Sequence, residues 1–418
     1  MADNYTPTSL IEIQHGLLNN LNKLNVSTTT TLLDIKHNGA KNSIYETEYA
    51  TSNATATYNT TTGQSVILAL TSALNTNKII RQTREYLTYQ QGKPLIIFID
   101  AVINANSNNS NSKSRIGYFD DDNGVFFEHR GNGTTGGDLY VVRRFNGTDT
   151  SVLRTSFNID QLDGMAPYEY EIDLSTIHTF IIEISWNVVR LGIMINDKIG
   201  YVHEFYNQDN ELLLYTANLP IRYSIDASGS VSTARLIHYS TYVISEIDYK
   251  PVTRIYALNN LSSSIKINAT VEKPVLIIRH KDFETNKGKI KPLVLNILNS
   301  FTTPVIFKIY KYKSPGAIPV NGITNSSFTT NSATEITEYA YDGTYFDTAY
   351  NSYRILLHQG VFKENVEYDF NKVYKNDSII DLSGDLSFNT DYLIVSCQLN
   401  YGDNSRSVSL LLTWNEFL

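Results

Sequence analysis

The sequence predicts a mainly β protein: two antiparallel β-sandwich domains, jelly-roll-like, behind a short N-terminal amphipathic helix. Three observations carry this reading. Apolar and polar residues alternate over many short runs, the period of a strand with one buried face. Charged residues are only 18% of the chain, so Asn, Thr, Ser and 29 tyrosines must supply its polar surface. Those residue types favour strands and turns over helices. The chain has 418 residues, more than one hydrophobic core ordinarily organises.

Taken in order, residues 1–29 read as a helical arm. In "SLIEIQHGLLNNLNKLN", Ser9 and Glu12 make a capping box, and Leu10, Ile13, Leu17, Leu21 and Leu24 share one face. A stripe of five large aliphatic side chains must be covered by something. The expected cover is another chain, which makes these five residues candidate assembly contacts in a homo-oligomer.

Residues 30–250 read as the first sandwich. "TFIIEISW" sets Phe180, Ile182, Ile184 and Trp186 on one face, and "VRLGIMI" does the same for Val189, Leu191, Ile193 and Ile195. The Thr-rich stretches in 27–64 suit exposed strand faces, whereas "NANSNNSNSKS" (104–114) reads as a loop. Pro251, following a strand pattern, marks the boundary to a second sandwich over 251–418. There Val408, Leu410, Leu412 and Trp414 alternate with polar residues, and Cys397 shares a face with Leu393, Val395 and Leu399.

"RIGYFDDDNGVFFEHRG" (115–131) poses the sharpest chemical question. Three aspartates in a row suggest a metal loop. Aligning Gly124 with the obligatory glycine of a calcium loop puts Phe119 at its first position and Arg130 at its last, so the pattern fails at both ends. Asn123-Gly124 is instead a strong signal for a two-residue hairpin turn. On that reading Asp121 is a solvated turn residue and its loss is mild. Glu128, His129 and Asp138 are the acids and base that a hairpin there would bring near one another.

No catalytic or metal signature emerges elsewhere. "HEF" (203–205) lacks the second histidine of a zinc motif, since Asn207 stands there, and His203 and Glu204 fall on opposite faces of a strand. "GNGTTGG" (131–137) has no following Lys-Ser/Thr and reads as a hairpin loop. No cofactor is expected. The net charge of −8 and the absence of a basic stripe argue against nucleic acid as a partner. No apolar run reaches the ~18 residues of a membrane helix, and no signal peptide is expected.

Several stretches, in order, carry a resemblance: "IIRQTREYLTYQQGKP" (79–94), residues 115–144, "FNIDQLDG" (157–164), "HEFYNQDNELLLYTANLPIRYSI" (203–225), "KPVLIIRHKD" (273–282) and "VSLLLTWNEFL" (408–418). The sequence resembles virion structural proteins of tailed phages of marine cyanobacteria and of large DNA viruses of protists. The resemblance spans about residues 30–418, and 115–225 is its most specific part. It implies a non-enzymatic part of a virus particle, such as a minor capsid, vertex, tail or fibre protein. Other virion proteins would then be its partners, and it would be made in the host cytoplasm. It implies no site residues. A sugar- or receptor-binding adhesin on the particle surface, with a host glycan or receptor as partner, is the alternative.

Overall fold

In the computed structural model, residues 29–417 are described apart from 62, 91–92, 106–110, 133–136, 186, 208–211, 217, 246–252, 269–270, 282, 284–286, 300–302, 331–336, 375–379, 388 and 402–405. The predicted helical arm, with Leu10, Ile13, Leu17, Leu21 and Leu24, lies outside them. The described chain is mainly β, in several antiparallel sheets. It divides into two compact units. One takes the described residues of Met1–Asn42, Ala50–Ile80 and Thr88–Tyr249; the other takes Ser43–Tyr49, Arg81–Leu87 and Lys250–Leu418.

The first unit stacks two sheets. One runs in the order Lys198–Tyr206, Val188–Ile195, His178–Ile184, Leu95–Val102, Val231–Ser245, Val66–Ala73, Ala54–Tyr58, with Thr30–Lys36 also pairing with Val231–Ser245. The other runs Thr148–Leu153, Asp138–Phe145, Gly124–Arg130, Ser112–Phe119, Ile221–Ala227, and then the first residues of Lys78–Thr83. Period-two patterning sets the inner faces, as expected. Phe180, Ile182 and Ile184 on one sheet and Ile116, Phe127 and Tyr223 on the other are all buried. The rings of Phe127 and Phe180 lie 5.0 Å apart across the sheets.

That interior also holds a polar chain. The Asn42 N–H donates to Nδ1 of His37 at 3.3 Å, which leaves the His37 Nε2–H to donate to Nδ1 of His238 at 3.1 Å. The His238 Nε2–H then donates to Thr241 Oγ1 at 2.9 Å, and Thr241 meets the Tyr223 hydroxyl at 2.5 Å. A single direction of donation, from Asn42 to Thr241, satisfies each of these contacts.

The second unit is also built from antiparallel sheets. Arg406–Phe417 lies between Thr253–Asn259 and Lys289–Asn299, with Val366–Asp369 beyond and Ile265–Ile267 also pairing with it. The facing sheet orders Thr329–Thr330, Thr337–Tyr341, Lys273–His280, Tyr392–Leu399, Val305–Tyr312 and Arg354–Phe362. Val408, Leu410, Leu412 and Trp414 are fully buried, in one core with Leu393, Val395, Cys397 and Leu399, as the alternation predicts. Among the described residues the only α-helix is Phe370–Tyr374, five residues long.

Two local expectations need correction. Ser112–Ser114 is strand, not loop: Ser114 pairs with both Ile225 and His129. The ladder from two neighbours extends past the last apolar residue, and a small buried serine fits between them. The 115–131 hairpin also turns differently. Phe119 pairs with Gly124, so the connection is the four residues 120–123 and not the pair Asn123-Gly124. The Asp120 carboxylate accepts the N–H groups of Asp122 at 2.9 Å and Asn123 at 2.8 Å, and this local bonding captures the longer turn. The two-residue Asn-Gly hairpin is two strands later, at Asn146-Gly147, where both φ angles are positive and Phe145 pairs with Thr148. The two loops dock: Asn146 N donates to Asn123 Oδ1 at 3.0 Å and Gly147 N to the Asp122 carbonyl at 2.7 Å.

A candidate ligand cleft on the first sandwich

The outer face of the second sheet of the first unit is polar. Along Ile221–Ala227, Tyr223 and Ile225 turn inward, so Arg222, Ser224 and Asp226 turn out. Pairing sets Arg115 opposite Ser224 and also opposite Glu128. Arg115, Arg222, Ser224 and Asp226, with Lys78, Asp121 and Arg144, line a cleft of about 270 Å³, and Glu128 supports Arg115 from outside that lining.

Its base is aromatic. The Phe119 and Phe126 rings lie 4.4 Å apart on this face and are 1% and 0% exposed, although they belong to neither inner layer. Guanidinium groups lie over them: Arg222 over Phe119 at 5.5 Å, and Arg144 and Arg115 over Phe126 at 5.1 and 5.9 Å. Each such contact contributes roughly 0.5–1 kcal/mol. The arginines also shield apolar rings from water with their stems.

Every acid in this network is engaged by an arginine. Arg222 Nη1 donates to Asp121 Oδ1 at 2.6 Å, and Arg144 grips Asp149 with Nε and Nη2 at 2.6 and 3.0 Å. Arg115 donates Nε to Glu128 at 2.5 Å and Nη1 to Asp226, while Arg130 takes the other Glu128 oxygen. Burial alone would raise these carboxyls. Only the summed pull of neighbouring cations exceeds it: Arg222 with Lys78 and Arg144 at Asp121, Arg115 with Arg130 at Glu128, and Arg144 with Arg115 and Lys113 at Asp149, so all three are held below the usual range. These acids stay ionised at neutral pH.

Asp121 is therefore not the bystander expected from the sequence. It caps a guanidinium that is itself 4% exposed. The grouping of Glu128, His129 and Asp138 does not form. Glu128 turns outward to its arginines, His129 lies on the opposite face of the same strand, and Asp138 pairs in register with Arg130. His203 and Glu204 do part to opposite faces. His203 Nδ1 accepts the Asn158 N–H at 3.2 Å, beside Phe157 and Phe205, while Glu204 meets Arg190 at 2.6 Å. The cleft itself was not read from the sequence. Its available signal was the outward Arg-x-Ser-x-Asp stripe at 222–226, opposite an apolar stripe on the same strand.

No family model and no curated protein matches the sequence. Solved structures align with about half of the chain. The carbohydrate recognition domain of Emp47p aligns over 49% of this chain and 96% of its own, at 8% identity and TM-score 0.31. SCLam, a non-specific endo-β-1,3(4)-glucanase from family GH16, covers 52% of this chain and 91% of its own, at 8% and 0.36. The lectin UEA-II complexed with galactose covers 52% and 100%, at 8% and 0.33. Similarity at this level does not carry a shared function.

Proposed function

We propose that this chain is a non-enzymatic protein of a virus particle, acting as a sugar- or receptor-binding adhesin through the cleft of its first sandwich. The particle context is supported by the sequence resemblance over 30–418. The binding role is supported by one observation above all: guanidinium and carboxylate groups alternate around the cleft, each held in place by the other. A sugar hydroxyl both donates and accepts, so neighbouring hydroxyls match such donor–acceptor pairs. A preformed site of this kind spends little entropy on ordering its side chains. Because both signs of charge line the cleft, the fitting ligand is a neutral oligosaccharide. The ion-paired, ionised acids favour binding over cleavage.

A purely structural role, in which the chain is held by other virion proteins or its own copies, is the second reading. Its low content of charged residues, 18%, favours it, because such a surface suits dense protein packing. An array of neutral and charged glycans, probed with the full chain, separates the two. The adhesin reading expects binding of a neutral oligosaccharide, no cleavage, and loss of binding in Arg222→Lys with the melting temperature kept within a few degrees. Binding by no glycan, together with stoichiometric recovery of the chain from purified particles by mass spectrometry, would establish the structural reading instead. Cleavage abolished by a carboxylate substitution would overturn both.

A further inference from the structure

The second unit carries a separate cleft, of about 420 Å³, where Lys273–His280 ends beside residues 316–318, the 3-10 turn Asn325–Ser327 and residues 389–390. Its polar lining includes Arg279, His280, Lys281, Asn325, Asn389 and Thr390. No carboxylate lines it, in contrast to the cleft of the first unit.

Arg279 is fixed in two directions. Its guanidinium lies 3.9 Å from the Phe328 ring centre, which sets its plane. Within that plane Nε and Nη2 both donate to Glu338 Oε2, at 3.0 and 2.8 Å, and Nη1 donates to Asn325 Oδ1 at 2.9 Å. Asn389 is fixed similarly. Its backbone N–H and its Nδ2 donate to the two oxygens of Asp385, at 2.9 and 3.2 Å. Both acids thus act as supports for cleft residues and do not themselves line the cleft. Asn325 keeps its amide nitrogen and Asn389 its amide oxygen without a partner among the described residues. Lys281 stands exposed at the lip.

We propose that this cleft binds an anionic saccharide. The acid group meets Arg279 and Lys281, and the sugar hydroxyls meet the free amide atoms of Asn325 and Asn389 and the Thr390 hydroxyl. Three features select this class. An acid-free lining with two cations favours a negative ligand. A guanidinium held flat and in register presents remaining N–H groups to a planar or tetrahedral oxyanion. An amide donor and an amide acceptor in one lining fit a polyhydroxylated ring better than they fit inorganic phosphate. The volume matches a small ligand of one or two rings.

The test is calorimetry on the full chain with glucuronate, glucose 6-sulfate, inorganic phosphate and glucose as probes, at two salt concentrations. The two charged sugars should bind, more weakly at high salt, with glucose and phosphate at least about tenfold weaker, equivalent to about 1.4 kcal/mol. Whichever charged sugar binds more tightly identifies the acid group as carboxylate or sulfate. Arg279→Gln should weaken charged-sugar binding by about tenfold or more. Lys281→Glu, on an exposed side chain that the fold does not need, should weaken it several-fold and reverse part of the salt effect. Arg222→Lys in the first unit should leave it unchanged, so failure here is distinct from failure of the neutral-sugar reading. Equal binding of glucose by the Arg222→Lys chain, stronger binding of phosphate than of either charged sugar, no binding of any charged probe, or indifference to Lys281→Glu overturns the proposal.

Discussion

Arg222 and Asp121 form an ion pair at 2.6 Å in which one partner is buried and the other stands in water: their side chains are 4% and 75% exposed. The pair ties the 120–123 loop to the strand Ile221–Ala227, 101 residues later in the chain. The exposed acid gains little from the contact by itself, since a solvated ion pair is worth about 0–1 kcal/mol. Its larger effect is on Arg222, whose charge sits over Phe119 in a setting that water reaches poorly.

Asp121→Ala should therefore cost about 1–2 kcal/mol, measured by urea unfolding, because it leaves a buried guanidinium short of its counter-charge. The neighbouring Asp122→Ala should change stability by less than about 0.5 kcal/mol. In an Arg222→Met background the Asp121→Ala cost should vanish. An equal cost in both backgrounds would show that the pair is not the cause.

Gly124→Val should cost about 3 kcal/mol or more. Gly124 has φ +133°, and a Cβ there would lie 2.3 Å from both Phe119 Cβ and the Tyr118 carbonyl oxygen. Strain and overpacking act together on the strand that carries Phe126, Phe127 and Glu128. Thermal melting of the variant at the wild-type temperature would rule this out.

The stability of the first unit should fall as the pH drops from about 6.5 to about 4. Burial lowers the His203 imidazole to about 4 against a slight opposing pull from Glu204, and its ordinary value is 6.5. Between these values the unfolded chain binds a proton that the folded chain refuses, so acid favours unfolding in that window and has no such effect above it. His203→Gln keeps an acceptor for the Asn158 N–H but does not titrate. Its unfolding free energy should decline less steeply than that of the wild type from pH 6.5 to 4. Parallel declines would exclude His203 as a contributor.

Cys397 should be inert in the folded protein. It is fully buried, and burial raises its thiol well above the ordinary range, so thiolate is scarce and unreachable. An aromatic disulfide reagent should label no thiol in the native state and one after denaturation. Rapid native labelling would mean that the core around Val395 and Leu399 opens readily.

Much of the fold was legible in the sequence. Side chains on a strand alternate by two, so Phe180-Ile182-Ile184 and Val408-Leu410-Leu412-Trp414 announced their buried faces from local spacing alone. The outward stripe Arg222-Ser224-Asp226 was equally local. What it faces was not, because the cleft draws on Lys78, Arg115, Asp121 and Arg144, which only sheet order and register bring together. The pairing of His37 with His238, 201 residues apart, has the same origin. So has the choice between two Asn-Gly turns: both dipeptides permit the tight hairpin, but the Asp120 carboxylate and the docked 146–147 loop hold the first one open. Local patterns determine which face of each strand is buried because that depends on the chain's own periodicity. Which charges meet depends on strand order, and strand order is settled by burying all those faces at once.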